Sequence, residues 1–119
     1  MIDNYKPPLF DKLNILEWKK YLEEEGYVVI KDILDKKEIE IGLELFWKDL
    51  SYVSPKFERN NSKSWCALTC PIMFGKGIAV FNNLGQSDFC WYIRLQKNII
   101  DIFKNIHNTD DLKTSFDGF

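Results

Sequence analysis

The closing segment, Leu112-Lys113-Thr114-Ser115-Phe116-Asp117-Gly118-Phe119, constrains the fold of this chain more than any other feature. It reads as a short strand running into a turn, with no helix, cap or polar tail after it. A strand needs a partner, and no later residue supplies one. The chain also holds one histidine, His107. Together these features lead us to expect part of something larger, able to associate through an unpaired terminal strand. Chemistry that needs several histidines would then lie outside these residues.

Composition narrows the class. A length of 119 residues with 45% hydrophobic side chains is enough for one domain with a core, so residues 1–119 are read as a single folded domain. The net charge of −2, with both signs interspersed, offers no basic surface for nucleic acid. No apolar run is long enough to span a membrane, and the N-terminus lacks a signal core. Cys66, Cys70 and Cys90 form no disulfide-framework spacing. A soluble, cytoplasmic protein is expected. Aromatics at 15%, with four tryptophans, argue for large packed surfaces or an aromatic-lined pocket.

The pattern along the chain is mixed helix and strand. Residues 1–12 form a polar lead-in, extended at Pro7-Pro8. Asn14 with Glu17 has the form of a capping box, and Ile15, Trp18, Tyr21 and Leu22 lie on one helical face, which Gly26 closes. Tyr27-Val28-Val29-Ile30 reads as a buried strand. Asp35 and Glu38 open a second helix with Ile39, Leu43, Phe46, Trp47 and Leu50 on its core face, ending before Pro55. A polar loop follows over 56–63; its Asn60-Asn61-Ser62 sequon is taken as chance. Gly75-Lys76-Gly77 is a turn, and Ile78-Ala79-Val80-Phe81 a strand or a short buried helix. Ser87 or Asp88 caps a helix reaching Arg94 or Leu95, and Asn98 to His107 forms another with Ile99, Ile102, Phe103 and Ile106 on one face.

Four residues are the candidate site: Gln86, Ser87, Trp91 and Arg94. A polar turn leading into an aromatic helix with one arginine could border a pocket for an anionic ligand or substrate. The structural alternative, which carries more weight, puts Trp91 in the core, makes Ser87 a cap and pairs Arg94 with a nearby carboxylate. Asp117 is read as a turn residue before Gly118. His107 closes a predicted helix, where an imidazolium would complement the dipole, and that role is preferred to metal ligation. Cys66, Cys70, Cys90 and His107 together could hold zinc, but the spacing is loose and a second cysteine pair is missing. Gly75-x-Gly77 lacks the third glycine of a phosphate loop. We assign no catalytic and no metal-binding residue.

Two segments carry a family resemblance. The first is Tyr21-Leu22-Glu23-Glu24-Glu25-Gly26-Tyr27-Val28-Val29-Ile30-Lys31-Asp32-Ile33-Leu34, followed by the helix from Asp35. The second runs from Gly85-Gln86-Ser87-Asp88-Phe89-Cys90-Trp91-Tyr92-Ile93-Arg94 through Asn98–Phe103 to Asp111-Leu112-Lys113-Thr114-Ser115-Phe116-Asp117-Gly118. In this order the chain resembles phytanoyl-CoA dioxygenase-like proteins, and the second segment resembles a eukaryotic and viral branch of them. The resemblance implies a double-stranded β-helix preceded by helices, and an oxygenase that uses Fe(II) and 2-oxoglutarate. In that family a His-x-Asp/Glu pair and a distant His hold the iron, and a late arginine binds 2-oxoglutarate. This chain has neither the pair nor a second histidine.

The expectation is therefore an α+β chain supplying the N-terminal helices and entry strands of a jelly-roll oxygenase, with the core barrel largely missing. The intact protein would hydroxylate a small-molecule or lipid-like substrate. The chain alone would hold neither cofactor and be inactive. The alternative is a self-contained, non-catalytic binding module; a third reading is a small zinc or redox protein.

Overall fold

The computed structural model describes residues 5–70 and 82–118. Among them the order is β1 (Leu9–Phe10), α1 (Ile15–Glu25), β2 (Val29–Ile30), α2 (Lys36–Val53), α3 (Asp88–Arg94) and α4 (Lys97–His107). Single 3-10 turns lie at Ser62–Ser64 and Leu84–Gln86. The chain divides into two compact units, Met1–Asp35 with Lys97–Leu112, and Lys36–Gln96 with Lys113–Phe119. The turn expected at Gly75-Lys76-Gly77 and the element expected at Ile78–Phe81 lie outside the described residues.

In the first unit, β1 and β2 pair in parallel, with Leu9 opposite Val29 and Phe10 opposite Ile30. Parallel strands require a crossover, which α1 supplies. This corrects two expectations. The polar lead-in contains a strand, because Pro7-Pro8 delivers Leu9 already extended. The strand over 27–30 shortens to two residues, and it is not buried, since Val29 is 36% and Tyr27 38% exposed. Trp18 is fully buried, and its Nε1–H donates to the Lys12 carbonyl at 3.3 Å. Phe10 is buried too, and its ring packs on Tyr21 at 5.0 Å.

The ends of α1 differ in kind. Gly26 adopts φ +76° and donates its N–H to the Leu22 carbonyl at 2.9 Å, as a left-handed cap should. A β-carbon there would meet open space, so the backbone angle alone calls for glycine. The capping box at the other end does not form. Asn14 holds ψ at 56° rather than in the extended region, and its Nδ2 donates to Glu17 Oε2 at 3.3 Å instead of its oxygen accepting a backbone N–H. Asp11 holds the turn before the helix, taking Leu13 N–H on Oδ1 at 2.9 Å and, on its carbonyl at 3.0 Å, the Asn14 N–H that Glu17 would accept in a capping box.

α4 lies one residue from its expected start and ends at His107 as expected. Ile99, Ile102 and Ile106 are half-buried, whereas Phe103 is exposed and stacks on His107 at 6.4 Å. Its carboxyl end is closed by Asn108 at φ +53° and by Lys19, whose Nζ donates to Asn105 O and Asn108 Oδ1, each at 2.7 Å.

The second unit is built on α2 packed against α3. Leu50 is fully buried, and Phe46 meets Phe89 edge to face at 5.4 Å. Ile39 and Leu43, expected in the core, are 48% and 45% exposed. The inward stripe instead runs through Gly42, Phe46, Asp49 and Leu50, the i, i+4, i+7, i+8 series. Gly42 lies under α3: a β-carbon there would stand 3.5 Å from Ile93 and 3.8 Å from Tyr92, ordinary packing distances.

The terminal strand is also corrected. Residues 112–118 carry no strand. No described helix is long and apolar enough to cross a membrane.

Candidate functional site

The four candidate residues converge on the start of α3. Asn82 and Asn83 take left-handed angles of +54° and +64° and turn the chain into the Leu84–Gln86 turn. Asparagine tolerates this conformation better than most residues. Ser87 is extended, and its Oγ accepts the Cys90 N–H at 3.3 Å, so the expected cap is present. Gln86 Oε1 accepts the indole N–H of Trp91 at 2.9 Å. Arg94 donates through Nη1 to the Gly85 carbonyl and through Nη2 to the Asp117 carbonyl at 2.8 Å. Its guanidinium carbon sits 5.6 Å from the Trp91 ring, which also meets Phe116 at 6.1 Å.

These contacts make a clasp. It draws 116–117 back onto the turn before α3, and Gly85 is what lets them approach. A β-carbon at Gly85 would collide with the Phe116 carbonyl oxygen and lie 2.8 Å from that of Asp117. The clasp explains why 112–118 is not a strand: the Asp117 carbonyl is bonded to a side chain, not to a ladder. Asp117 thus acts through its carbonyl rather than as the turn residue expected.

Two details of the structural alternative change. Trp91 is half-buried rather than core, and among the described residues Arg94 donates to carbonyls, not to a carboxylate. The expected anion pocket also divides. Gln86 and Ser87 border a cleft of about 480 Å3, but Trp91 and Arg94 do not line it. The cleft carries the Asp49 and Asp88 carboxylates, and its lysine, Lys48, is paired with Asp88 at 2.7 Å. The hydrogen bond it donates to Asp88 raises the Lys48 ammonium above the ordinary lysine range. An anion would face that carboxylate pair, so the site suits it poorly.

Sequence reasoning missed several groups because their partners are remote. Asp49 Oδ2 accepts the Phe89 N–H at 2.7 Å and so caps α3 from a helix forty residues away. In the first unit the hydroxyls of Tyr5, Tyr21 and Tyr27 meet, with Tyr5 2.5 Å from Tyr27 and Tyr21 3.0 Å from Tyr27. Hydrogen bonding with Tyr27, then with Tyr5, raises the Tyr21 phenol above its usual range, while bonding with Tyr21 and Tyr27 lowers Tyr5. A cleft of about 520 Å3 also lies in this unit, but its polar groups are largely paired with one another: Lys12 with Asn98 at 3.0 Å and Lys104 with Asp110 at 2.9 Å.

The thiols separate by environment. Cys70 and Cys90 are buried and Cys66 is exposed. The Thr69 hydroxyl, 3.5 Å from Cys66 Sγ, and the backbone at Leu68 and Thr69 lower the Cys66 thiol below its usual range. Among the described residues no three His, Cys, Asp or Glu side chains gather as a metal site.

No family model matches the chain, and no solved structure matches it. It is similar to Ava biosynthesis cluster protein O of Aspergillus versicolor, 22% identical over 102 residues, covering 86% of this chain and 33% of that protein. The chain thus spans a third of the length of the curated relative it matches.

Proposed function

We propose that this chain is the N-terminal helical portion of a phytanoyl-CoA dioxygenase-like Fe(II)/2-oxoglutarate oxygenase, whose intact form hydroxylates a small-molecule or lipid-like substrate. One observation carries the reading: the widely spaced motif behind the resemblance closes in space. Gly85, Gln86, Trp91 and Arg94 join Phe116 and Asp117 in one clasp, and Ser87 caps the helix beside it. A motif spread over more than thirty positions has a physical reason to persist when its members bind one another. The similarity to a protein of a fungal biosynthetic cluster, of which this chain matches a third, agrees with a part of a larger biosynthetic protein. In this reading the fold of the whole is a jelly roll, and these residues are its helical entry. Gln86, Ser87, Trp91 and Arg94 hold the chain's course there rather than touch substrate.

The donor set does not fit the family's iron. A facial triad takes two histidines and a carboxylate. Here the single imidazole, His107, stacks on Phe103 at the end of α4 and is followed by Asn108-Thr109. No reaction step is therefore assigned to these residues. Two measurements test the proposal. The 119-residue chain, stripped of metal and reloaded with Fe(II), is expected to form no succinate from 2-oxoglutarate. The transcript beyond the Phe119 codon is expected to encode a His-x-Asp or His-x-Glu, then a further His and an Arg. Succinate formation by the chain alone, or a transcript without those codons, overturns it.

A second reading, a self-contained binding module, is favoured by the ring cluster of half-buried Trp47 and Phe57 with exposed Trp65. It expects a monomer that unfolds in one cooperative transition.

A further inference from the structure

The ring cluster in the second unit has the construction of a binding site. Trp47, near the end of α2, stacks on Phe57 with centroids 5.7 Å apart and planes 19° from parallel. Trp65 stacks on Phe57 at 6.1 Å and 21°, and lies 6.0 Å from Trp47. Trp65 is 52% exposed, an unusual condition for a side chain of that size. Trp47, Phe57 and Pro55 form the apolar wall of a cleft of about 460 Å3, a volume in the range of small-molecule sites.

The loop that carries the rings is held rigid from within. Buried Ser64 accepts the Glu58 N–H on Oγ at 2.8 Å and donates from Oγ to the Asn61 carbonyl at 2.7 Å. The indole N–H of Trp65 donates to the Glu58 carbonyl at 2.8 Å. The ring therefore has its polar atom satisfied and its position fixed by stacking on Phe57, with about half of it left exposed, so little ordering cost remains on binding.

The rim decides what such a face can hold. Glu44, Glu58, Lys48 and Arg59 line the rim, and its cations are already matched by carboxylates, Lys48 by Asp88 at 2.7 Å. Arg59 Nη1 lies 2.6 Å from Glu44 Oε1. An anionic ligand would meet both carboxylates, and a cationic one both cations. A wholly apolar ligand would strip water from four charged groups without replacing it. A neutral ring with one C–H face and a girdle of hydroxyls meets every requirement, since each hydroxyl both donates and accepts. We propose that this cleft binds a neutral saccharide, setting a pyranose face against Trp47 and Phe57, running onto the exposed ring of Trp65 beside them, and bonding its hydroxyls to Glu44, Glu58, Lys48 and Arg59. The site lies wholly within 44–65, so it stands apart from the oxygenase reading: either can fail without the other.

The test is titration of the 119-residue chain with maltopentaose, cellopentaose and chitopentaose, followed by tryptophan fluorescence and calorimetry. At least one sugar is expected to bind saturably. Trp65→Ala is expected to weaken that sugar roughly tenfold. Arg59→Gln is expected to weaken it roughly threefold, and Trp65→Phe to recover most of the loss. Far-ultraviolet circular dichroism confirms that each variant is folded. The proposal is overturned if no sugar saturates the folded chain up to roughly 10 mM, the weak end of specific affinity. It is also overturned if Trp65→Ala binds as the parent does, or if indole binds saturably while all three sugars fail, which would mark the cleft as a flat-aromatic site.

Discussion

Two short helices in the two units are finished in opposite ways. In the first unit the carboxyl end of α4 is closed by a cation, Lys19, which donates to Asn105 O and Asn108 Oδ1. In the second, the amino end of α3 is closed by an anion, Asp49, which accepts the Phe89 N–H, with Ser87 accepting from Cys90. Each charge sits at the pole of the helix dipole that favours it. Neither α4, with 11 residues, nor α3, with 7, is long enough to persist alone in water. The lesson is that both depend on side chains from another helix, reached across 86 residues in one case and 40 in the other.

The largest effects should come from the buried anchors beneath these caps. Trp18→Ala is expected to cost about 3–5 kcal/mol and Leu50→Ala about 2–5 kcal/mol in urea denaturation, because each empties a fully enclosed site. If either change is tolerated, the caps and not the apolar anchors carry that unit. Gly85→Ala comes next, at about 1–3 kcal/mol, because backbone carbonyls rather than a flexible side chain stand in the way. A neutral outcome in a thermal melt would mean that 116–117 is not held in the clasp.

The caps themselves sharpen the comparison. Asp49→Ala is expected to cost about 1 kcal/mol, and Asp49→Asn only a few tenths, since an amide oxygen still accepts the Phe89 N–H. Lys19→Met is expected to cost about 0.5–1 kcal/mol, the scale of a charge at a helix end. Equal losses for Asp49→Asn and Asp49→Ala would show that charge, not hydrogen bonding, is what α3 requires. The smallest effect concerns reactivity. A lowered thiol holds its thiolate to lower pH, so the alkylation of Cys66 should reach half its maximum rate below the usual thiol pKa of about 8.5. Thr69→Val removes the leading cause and should move that midpoint upward, while buried Cys70 and Cys90 react slowly throughout. A midpoint that does not respond to Thr69→Val would place the cause elsewhere.

Much of the helical framework was legible in the residues. Gly26 marked the end of α1, Ser87 the start of α3 and His107 the end of α4, each through a backbone requirement that a few neighbouring residues reveal. The phase of α2 was not legible. Ile39 and Leu43 are more apolar than Gly42, yet Gly42 faces inward because α3 approaches there. The capping box at Asn14 failed because Asp11 was a competing acceptor. Of the candidate site, the structure draws Gln86, Trp91 and Arg94 into one clasp with Ser87 as the cap beside it, an arrangement no local pattern made visible. Arg94 finds carbonyls instead of a carboxylate, and only the return of 116–117 puts one of them in reach.

By itself the sequence determined where helices begin and end, which residues could cap them, and that one histidine cannot complete an iron triad. These are local or compositional matters, settled by backbone angles and by which atoms are present. Tertiary structure decided which face of α2 is inside, that Leu9–Phe10 pairs with Val29–Ile30, and that 112–118 ends in a clasp instead of a strand. It also gathered Trp47, Phe57 and Trp65 into one cluster. Each of these depends on atoms far apart in the chain, where the energy of one contact rests on others having already formed, and no local pattern records that.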